Sequence, residues 1–398
     1  MNEPALPLGF QYAGVASGVK SVAGTRDLSL ITSDRDATVA GVYTQNLVAA
    51  APVVLCRGRT PTTRGRMVVV NSGNANACTG KQGMSDAEAM VAAAARAVGV
   101  DEDQGLVLST GIIGQLLPME KILGGIDQAA SELAAGADAF DAASRGILTT
   151  DNGPKTMTAE MNCGGGSCQL AGMAKGAAMI GPNMATMLAV FLTDAAIGGD
   201  DAQQALKDAV DESFNCISVE GHTSTNDTVL LFANGAAGGN PLVGDDLQLF
   251  RKELSEGCLQ LAKMIPDDGE GSSHLVKVEV LGAGDDQGAR QVARTVANSN
   301  LVKTGIAGCD PNWGRIISAV GYAGVPLDTA QLGLELNGIT LFKEGSPVVF
   351  DAEQAAETMR RSREVHVLVI LGDGPGRASF WTSDLTVDYV TFNSDYHT

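Results

Sequence analysis

A hydroxyl residue stands where a glycine-rich loop meets an apolar run, within residues 172–194. The loop ends at Thr186, and the run from Met187 to Leu192 contains only apolar residues. Such a run has the length and composition of a β-strand that is buried on both faces. Because threonine is also an ordinary β-prone residue at the start of a strand, its position alone does not identify a nucleophile. A chemical role would need a base beside the hydroxyl, which is otherwise a weak nucleophile.

A second candidate lies at the end of another short apolar run, Leu106 to Leu108. The next residues are Ser109, Thr110 and Gly111. Thr110 can offer a hydroxyl, and Gly111 can offer a backbone N–H that no side chain obstructs. Two such donors that converge on one point are what an oxyanion hole requires. The alternative from the residues alone is that Thr-Gly simply links a strand to a helix.

Several strings of residues carry a family resemblance, and they occur in order between Asn71 and the end of the chain. They are Asn71 to Gly80, Lys175-Gly176, Met179-Ile180, Pro182 to Leu188 and Asp310 to Ile316. Together they resemble the ornithine acetyltransferase family, the glutamate N-acetyltransferases of arginine biosynthesis. The resemblance implies that the chain cuts itself between Ala185 and Thr186, and that the freed Thr186 is the nucleophile. A new N-terminal threonine carries its own base, because a free α-amino group has a pKa of about 7.7–8.0.

The resemblance also implies the other site residues. It assigns the oxyanion hole to Thr110 and Gly111. It assigns binding of the amino-acid substrate to Thr150, Asn152, Lys175, Thr186, Glu270, Asn393 and Thr398. Among these, Lys175 is a natural partner for the substrate carboxylate, and Glu270 is a natural partner for a positive amine.

The implied reaction is a ping-pong transfer of an acetyl group. The Thr186 hydroxyl takes the group from N2-acetylornithine, ornithine leaves, and the amine of glutamate takes the group from the Thr186 ester. We expect no metal and no organic cofactor, although acetyl-CoA stays open as a second donor, which would make the enzyme bifunctional. One alternative is an aminopeptidase or amidase that passes the acyl group to water. Another is an amino-acid-binding relative that neither cleaves itself nor catalyses.

This chain departs from the family strings at several positions. Ala177 and Gly181 replace a serine and a histidine of the self-cleavage segment, and Asn152 replaces a threonine. Glu220 and His222 replace two aspartates, and His274 replaces a lysine. We expect these departures to bear on cleavage or on acyl specificity. His222 could serve as an acid or base, but a solvated loop position is the interpretation that we favour.

Composition restricts the class of protein. The chain has 398 residues with a formal net charge of −19, and such an acidic surface disfavours nucleic-acid binding. The N-terminal residues lack the pattern of a signal peptide, and no apolar run is long enough to cross a bilayer, so we expect a cytoplasmic protein. Seven cysteines, an odd number, indicate reduced thiols. We interpret Cys163 and Cys168 as flanking a hairpin turn rather than as a metal or disulfide site.

The elements that position these residues read as mixed α/β. A capping box at Ser85 predicts a helix that ends at Gly99, and Pro118 predicts the start of another. Further helices are predicted over 200–215, 247–264, 291–301 and 352–364, a buried strand over 365–372, and a last strand that ends at Asn393. The resemblance implies an αββα layered core related to N-terminal-nucleophile hydrolases, with a β-rich C-terminal domain.

The predicted division of the chain has three parts. Residues 1–198 form the layered core with the cleavage site, residues 199–284 a second α/β region, and residues 285–398 a C-terminal domain that returns to the site. After cleavage the two fragments, 1–185 and 186–398, form an αβ unit. By resemblance two such units pair as α2β2.

Overall fold

The computed structural model describes residues 5–163, 166–181 and 187–395. These residues form two β-sheets with helices packed on them. The strands in chain order are β1 (Phe10–Val15), β2 (Leu28–Tyr43), β3 (Thr62–Asn74), β4 (Gly105–Ile112), β5 (Lys155–Cys163), β6 (Gly166–Lys175), β7 (Leu188–Thr193), β8 (Ile217–Ser218), β9 (Thr228–Ala233), β10 (Leu275–Ala283), β11 (Gly333–Leu336), β12 (Ile339–Lys343), β13 (Ser346–Pro347), β14 (Glu364–Ile370) and β15 (Gly376–Ser383).

The helices alternate with the strands along much of the chain. They are α1 (Ala51–Arg57), α2 (Gly80–Val98), α3 (Met119–Ser131), α4 (Ala137–Gly146), α5 (Gly199–Glu212), α6 (Gly244–Asp267), α7 (Asp286–Ala297), α8 (Asn300–Ala307), α9 (Trp313–Gly321), α10 (Ala352–Arg360) and α11 (Val387–Asp395). The mixed α/β fold class predicted from the sequence is confirmed. In the described part of the chain, no helix has both the length and the apolar character that crossing a bilayer requires.

The first sheet has the strand order β4-β3-β2-β9-β7-β6-β5, and β1 pairs with β2. Helices α2, α3 and α4 pack on one face of this sheet, and α5 and α6 pack on the other. Strand β7 therefore contributes side chains to a core on each face of the sheet. Leu188, Val190 and Leu192 join the core under α2, α3 and α4, whereas Ala189 and Phe191 join the core under α5 and α6. The strand predicted from the apolar run is therefore buried on both faces, as expected.

The second sheet has the order β13-β12-β11-β14-β10-β15-β8. Helix α7 packs on β10 and β15, while α6 contacts β8 and β15 as well as the first sheet. One apolar core is continuous across these elements. The predicted division at residues 198 and 284 stays a prediction.

Strand β14 corrects one prediction. Its side chains alternate between buried and partly exposed positions, so the strand is buried on one face only. The buried strand predicted over 365–372 would place His366 in the core, whereas in the structure its side chain is partly exposed. Its Nε2 lies 2.9 Å from Glu279 Oε2 on the partly exposed face.

The start of α2 and the assignment of the last predicted strand also differ from prediction. Helix α2 begins at Gly80, so Ser85 lies inside the helix and caps nothing, although the helix ends as predicted before Gly99, whose φ is +73°. The predicted last strand is wrong, because residues 387–395 form α11. The Val, Thr, Tyr and Phe content of this segment favours a strand, and tertiary contacts override that weak preference.

The predicted hairpin around Cys163 and Cys168 is confirmed by the strand pairing, but the prediction that all cysteines are reduced is wrong for Cys168. Strands β5 and β6 pair antiparallel up to Cys163 and Gly166, which confirms the hairpin. Cys168, however, is disulfide-bonded. The free thiols of the described residues are Cys56, Cys78, Cys216, Cys258 and Cys309.

Candidate active site

Strand pairing brings three chain segments to one end of the first sheet. Strands β6 and β7 are antiparallel, with Lys175 opposite Leu188. Strands β7 and β9 are parallel, with Leu188 opposite Thr228. The end of β6 and the residues that precede β7 and β9 therefore lie together. The backbone N–H of Met187 donates to Asp227 Oδ1 over 2.8 Å at this place.

Side chains connect this end of the sheet to the end of β4. Lys175 Nζ donates to Thr110 Oγ1 over 3.3 Å. Asn226 Nδ2 donates to the carbonyl oxygens of Ser109, at 2.8 Å, and Ala75, at 2.6 Å. The candidate oxyanion-hole segment is thus held against the segment that leads into β9.

Gly111 has a backbone conformation that other residues avoid. Its φ is +133°. A Cβ at this position would lie 2.2 Å from the carbonyl carbon of Gly73, because β3 passes directly beside it. Only glycine fits both the dihedral angle and the space.

A cavity of about 220 Å³ lies among these segments. Six predicted site residues line it, namely Thr110, Gly111, Thr150, Lys175, Glu270 and Asn393. The other lining residues are Ala75, Ile113, Thr149, Ala178, Met179, Glu220, His222, Ser224, Asn226 and Tyr389. Residues that are distant in sequence therefore meet around one cavity.

The C-terminal helix α11 reaches this cavity, where its Asn393 contacts Glu270. The backbone N–H of Glu270 donates to the carbonyl of Ala177 over 3.1 Å, which places it beside the glycine-rich loop. Asn393 Nδ2, on α11, donates to Glu270 Oε2 over 3.0 Å. Tyr389 and Asn393 of the C-terminal segment thus line the cavity, and they do so on a helix.

A buried ion pair holds the loop after β6. Asp151 Oδ1 accepts from Lys155 Nζ at 2.7 Å and from the backbone N–H of Gly176 at 2.6 Å. Burial alone would raise the pKa of Asp151, but the charges of Lys175 and Lys155 lower it to about 2. Burial lowers the pKa of Lys175, and the negative charge of Asp151 counteracts this lowering. Asp151 thus balances two buried lysines behind the cavity.

One predicted binding residue is not at the cavity. The side chain of Asn152 is exposed, and its Nδ2 donates to Asp268 Oδ1 over 2.6 Å. Its neighbours Thr149 and Thr150 line the cavity instead. Ala185, Thr186 and Thr398 lie outside the described residues, so their predicted roles stay predictions.

The arrangement supplies the components for acyl chemistry on an amino acid. The Thr110 hydroxyl lies beside the buried ammonium group of Lys175, and the Gly111 backbone and the carboxyl groups of Glu220 and Glu270 line the same cavity. Within the described residues, no group of three or more His, Cys, Asp and Glu side chains is arranged to hold a metal ion.

Comparison with known proteins identifies the family. The ArgJ family matches residues 11–398. The chain belongs to the ArgJ family. It is 48% identical over 396 residues to the arginine biosynthesis bifunctional protein ArgJ of Rhodopirellula baltica, covering 99% of this chain and 96% of that protein. It is 46% identical over 398 residues to the protein of the same name from Symbiobacterium thermophilum, with 98% of each chain covered.

A solved ArgJ structure agrees with this assignment. The crystal structure of the arginine biosynthesis bifunctional protein ArgJ from Bacillus halodurans matches with a TM-score of 0.50 and 41% identity. The match covers 51% of this chain and 96% of that one. The family resemblance inferred from the sequence strings is confirmed.

The positions at which this ArgJ chain departs from the family strings have distinct surroundings. A Cβ on Gly181 would lie 2.5 Å from the carbonyl carbon of Gly221, so the loop before His222 occupies the space of a side chain. His222 is exposed, as expected, but it also lines the cavity. His274 is buried away from the cavity lining, with its Nδ1 2.9 Å from Asp384 Oδ2.

Sequence reasoning missed several lining residues of this ArgJ site. Glu220 was noted only as a departure, yet both of its carboxylate oxygens are buried beside the cavity. No sequence pattern pointed to Tyr389 as a site residue, because its helix was predicted as a strand. Asp227 does not line the cavity, but it is buried beside it and accepts from the backbone N–H of Met187, which only the folded chain shows.

Proposed function

We propose that this chain is a glutamate N-acetyltransferase that moves an acetyl group from N2-acetylornithine to glutamate in arginine biosynthesis. The observation that carries the proposal is the cavity that joins Thr110, Gly111, Lys175 and Glu270 in a member of the ArgJ family. The curated relatives are named for arginine biosynthesis, and their chains are matched over nearly their whole length. Both substrates are small amino-acid derivatives, which suits a cavity of this size.

The first step creates the nucleophile. The Thr186 hydroxyl attacks the carbonyl carbon of Ala185, and the peptide C–N bond breaks as an ester to the Thr186 oxygen forms. Water then hydrolyses that ester, which releases the Ala185 carboxylate and leaves Thr186 with a free amine and a free hydroxyl. The new amine can serve as the base for the hydroxyl beside it.

The second step loads the acetyl group. Thr186 loses its hydroxyl proton to its own amine and attacks the acetyl carbonyl carbon of acetylornithine. The hydroxyl of Thr110 and the N–H of Gly111 stabilise the negative oxygen of the tetrahedral intermediate. The intermediate expels ornithine, whose amine takes the proton from Thr186. Lys175 and Glu270 hold the ends of the substrate, together with Thr150, Asn393 and the C-terminal Thr398.

The third step transfers the group. The neutral amine of glutamate attacks the acetyl ester on Thr186, its proton passes to the Thr186 amine, and N-acetylglutamate leaves as the Thr186 hydroxyl is restored. The residues alone supply each proton transfer, so this mechanism uses no metal and no organic cofactor. A thioester such as acetyl-CoA could load Thr186 by the same attack, and two αβ units would form an α2β2 assembly. The cytoplasmic location stays a prediction.

Denaturing mass spectrometry of the purified chain tests the proposal. Wild type should give two fragments, of which the second begins at Thr186, whereas Thr186→Ala should stay whole and Thr158→Ala, an exposed control on β5, should cleave normally. Incubation with acetylornithine alone should add one acetyl group to the fragment that begins at Thr186, and glutamate should remove it. An uncleaved wild type would refute the mechanism and favour a binding role. Acetyl release to water that glutamate does not suppress would favour the amidase alternative.

A further inference from the structure

Glu220 has an unusual position in the cavity. It lines the cavity, and both of its carboxylate oxygens are buried without a hydrogen-bond partner among the described residues. The backbone of the same residue is fixed, because its N–H donates to the carbonyl of Ile180 over 3.3 Å. Burying a carboxyl group without a hydrogen-bond partner costs free energy, and a hydrogen bond to that group removes much of the cost. A ligand in the cavity would supply this hydrogen bond.

The buried cation whose charge acts on Glu220 does not meet this need. Lys303 is 3% exposed, and its Nζ donates to the carbonyl of Val219 at 2.6 Å and to Thr382 Oγ1 at 2.9 Å. It also donates to the carbonyl of Ser383. Because an ammonium group has three protons, these acceptors use its donors. Lys303 therefore places a positive charge near Glu220 without a direct ion pair.

The other carboxylate of the cavity is already engaged. Glu270 Oε2 accepts from Asn393 Nδ2, whereas neither oxygen of Glu220 has such a bond. Tyr389 and the exposed His222 are the further titratable side chains that line this part of the cavity. Glu220 is thus the carboxyl with the most unused hydrogen-bonding capacity.

The charge state of Glu220 is finely balanced. Burial raises the pKa of Glu220 to about 8. The N–H groups of Met179 and Ile180 approach the carboxyl closely enough to lower its pKa without reaching hydrogen-bond geometry, Lys303 lowers it as well, and Glu270 raises it further. Burial likewise lowers the pKa of Lys303 to about 8. Near neutral pH the Glu220 carboxyl can therefore either keep its proton or release it when a charged group arrives.

The proposed reaction makes a particular demand on such a group. Both substrates must place the same reacting nitrogen at Thr186, so their side chains enter the same region of the cavity in turn. The donor, acetylornithine, ends in an ammonium group, and the acceptor, glutamate, ends in a carboxylate. A residue with one fixed charge would favour one substrate and repel the other.

We propose that Glu220 is a specificity-determining residue that contacts the side-chain terminus of both substrates. As a carboxylate it pairs with the ammonium group of the donor, and as a carboxylic acid it donates a hydrogen bond to the carboxylate of the acceptor. The proton enters from solvent when glutamate binds and returns to solvent when the ammonium group binds. This inference rests on the proposed function and assigns a residue to substrate recognition there.

Paired donors test the ammonium contact directly. N2-acetylornithine is compared with N2-acetylnorvaline, which has the same carbon chain without the ammonium group, in wild type and in Glu220→Gln. The wild-type preference for acetylornithine, as a ratio of kcat/KM values, should fall about 10- to 100-fold in the variant, the range for one hydrogen bond to a charged group. Glu279→Gln is the matched control, because Glu279 is half-buried but lies outside the cavity lining. An unchanged preference in Glu220→Gln would overturn the proposal.

The acceptor provides a second readout. At about pH 7 Glu220→Gln should use glutamate nearly as well as wild type, since an amide also donates a hydrogen bond to a carboxylate. The wild-type kcat/KM for glutamate, divided by that of the variant, should fall between about pH 7 and about pH 9 as Glu220 loses its proton. A ratio that is flat with pH would refute the acid form of the contact.

The same measurements separate this inference from the proposed function. If wild type moves no acetyl group from acetylornithine to glutamate, the proposed function fails. If wild type does so but Glu220→Gln keeps the full preference for acetylornithine, only the Glu220 inference fails. Wild type alone gives a check that does not depend on any variant, because its preference for acetylornithine over acetylnorvaline should decline as pH falls below about 8. A pH-independent preference would contradict the inference.

Discussion

Lys175 donates a hydrogen bond to Thr110 across the candidate site, with Nζ and Oγ1 3.3 Å apart. An ammonium group has no lone pair, so the Thr110 oxygen must be the acceptor and its own hydroxyl proton stays available. The hydroxyl is therefore oriented by a buried cation and free to donate to a substrate oxygen. This is the geometry that the oxyanion role requires.

Removing that hydroxyl should impair the chemical step more than binding. Thr110→Val keeps the shape of the side chain, and we expect kcat to fall about 10²- to 10³-fold with little change in KM, as for loss of one oxyanion-hole donor. Thr110→Ser should retain most of the activity. Steady-state assays of acetyl transfer would measure this, with the exposed Thr158→Val on β5 as the control. Equal losses in the Ser and Val variants would show that packing, not the hydroxyl, matters.

Gly111 should tolerate no side chain. In Gly111→Ala the new Cβ would meet the carbonyl carbon of Gly73 at 2.2 Å, and the φ of +133° is strained for alanine. We expect the free energy of unfolding to fall by more than about 1 kcal/mol and acetyl transfer to be lost. The control is Gly124→Ala in α3, where no atom lies within 4 Å of the new Cβ and a helical alanine should be neutral or stabilising. Urea unfolding and activity assays together would check both; normal activity in Gly111→Ala would argue against its role.

Sequence patterns predicted those parts of the fold that local chemistry determines. The apolar run after Thr186 predicted β7, because a strand buried on both faces needs apolar residues at every position. Gly99 predicted the end of α2, since it takes the left-handed conformation there. Thr110, Lys175 and Glu270 were reached through the family strings, and the cavity unites them.

What the sequence could not predict depends on contacts between distant segments. Asn152 was expected at the cavity, but Asp268 at the end of α6 binds its amide, and that approach has no local signal. The residues of α11 have a preference for β-strands and therefore predicted a strand. In the structure they form a helix that contacts Glu270 through Asn393, and such a contact has no local signal in the sequence. Glu220 lies in a polar loop, and only the folded chain shows that its carboxyl is buried.

The Asp151 ion pair should be a main stabiliser of the loop after β6. Asp151→Asn removes the counter-charge that the buried Lys155 and Lys175 share, and it leaves Lys155 paired with Asp268 alone. Breaking a buried ion pair costs about 3–5 kcal/mol. Chemical unfolding of the Thr186→Ala background would measure the loss without the complication of self-cleavage. The matched control is Asp141→Asn, which removes an exposed i,i+4 pair with Arg145 and should cost less than about 1 kcal/mol.

The same carboxylate gives a defined dependence on pH. The pKa of Asp151 is lowered from 3.8 to about 2, so the folded state binds a proton less readily than the unfolded state does. Its contribution is fully present above the unfolded value of 3.8 and is lost as pH falls towards about 2. The stability gap between the parent and Asp151→Asn should therefore shrink in this acid range. A gap that stays constant would contradict the assignment of the shift to Asp151.

Glu220 should act on stability in the opposite direction. Its pKa is raised from 4.5 to about 8, so between these values the folded state binds a proton that the unfolded state has released. Stability relative to Glu220→Gln should fall as pH rises through this window, by at most about 1.4 kcal/mol per pH unit, and level off above it. Urea unfolding at several pH values in the Thr186→Ala background would measure the slope. Glu357→Gln is the control here, because hydrogen bonds from Arg361 and Arg360 lower the pKa of Glu357. Arginines stay charged across this window, so that variant's difference from the parent should be flat. Parallel curves for Glu220→Gln and its parent would show that Glu220 is ionised in the folded chain, and its carboxyl would then have no proton to donate to glutamate.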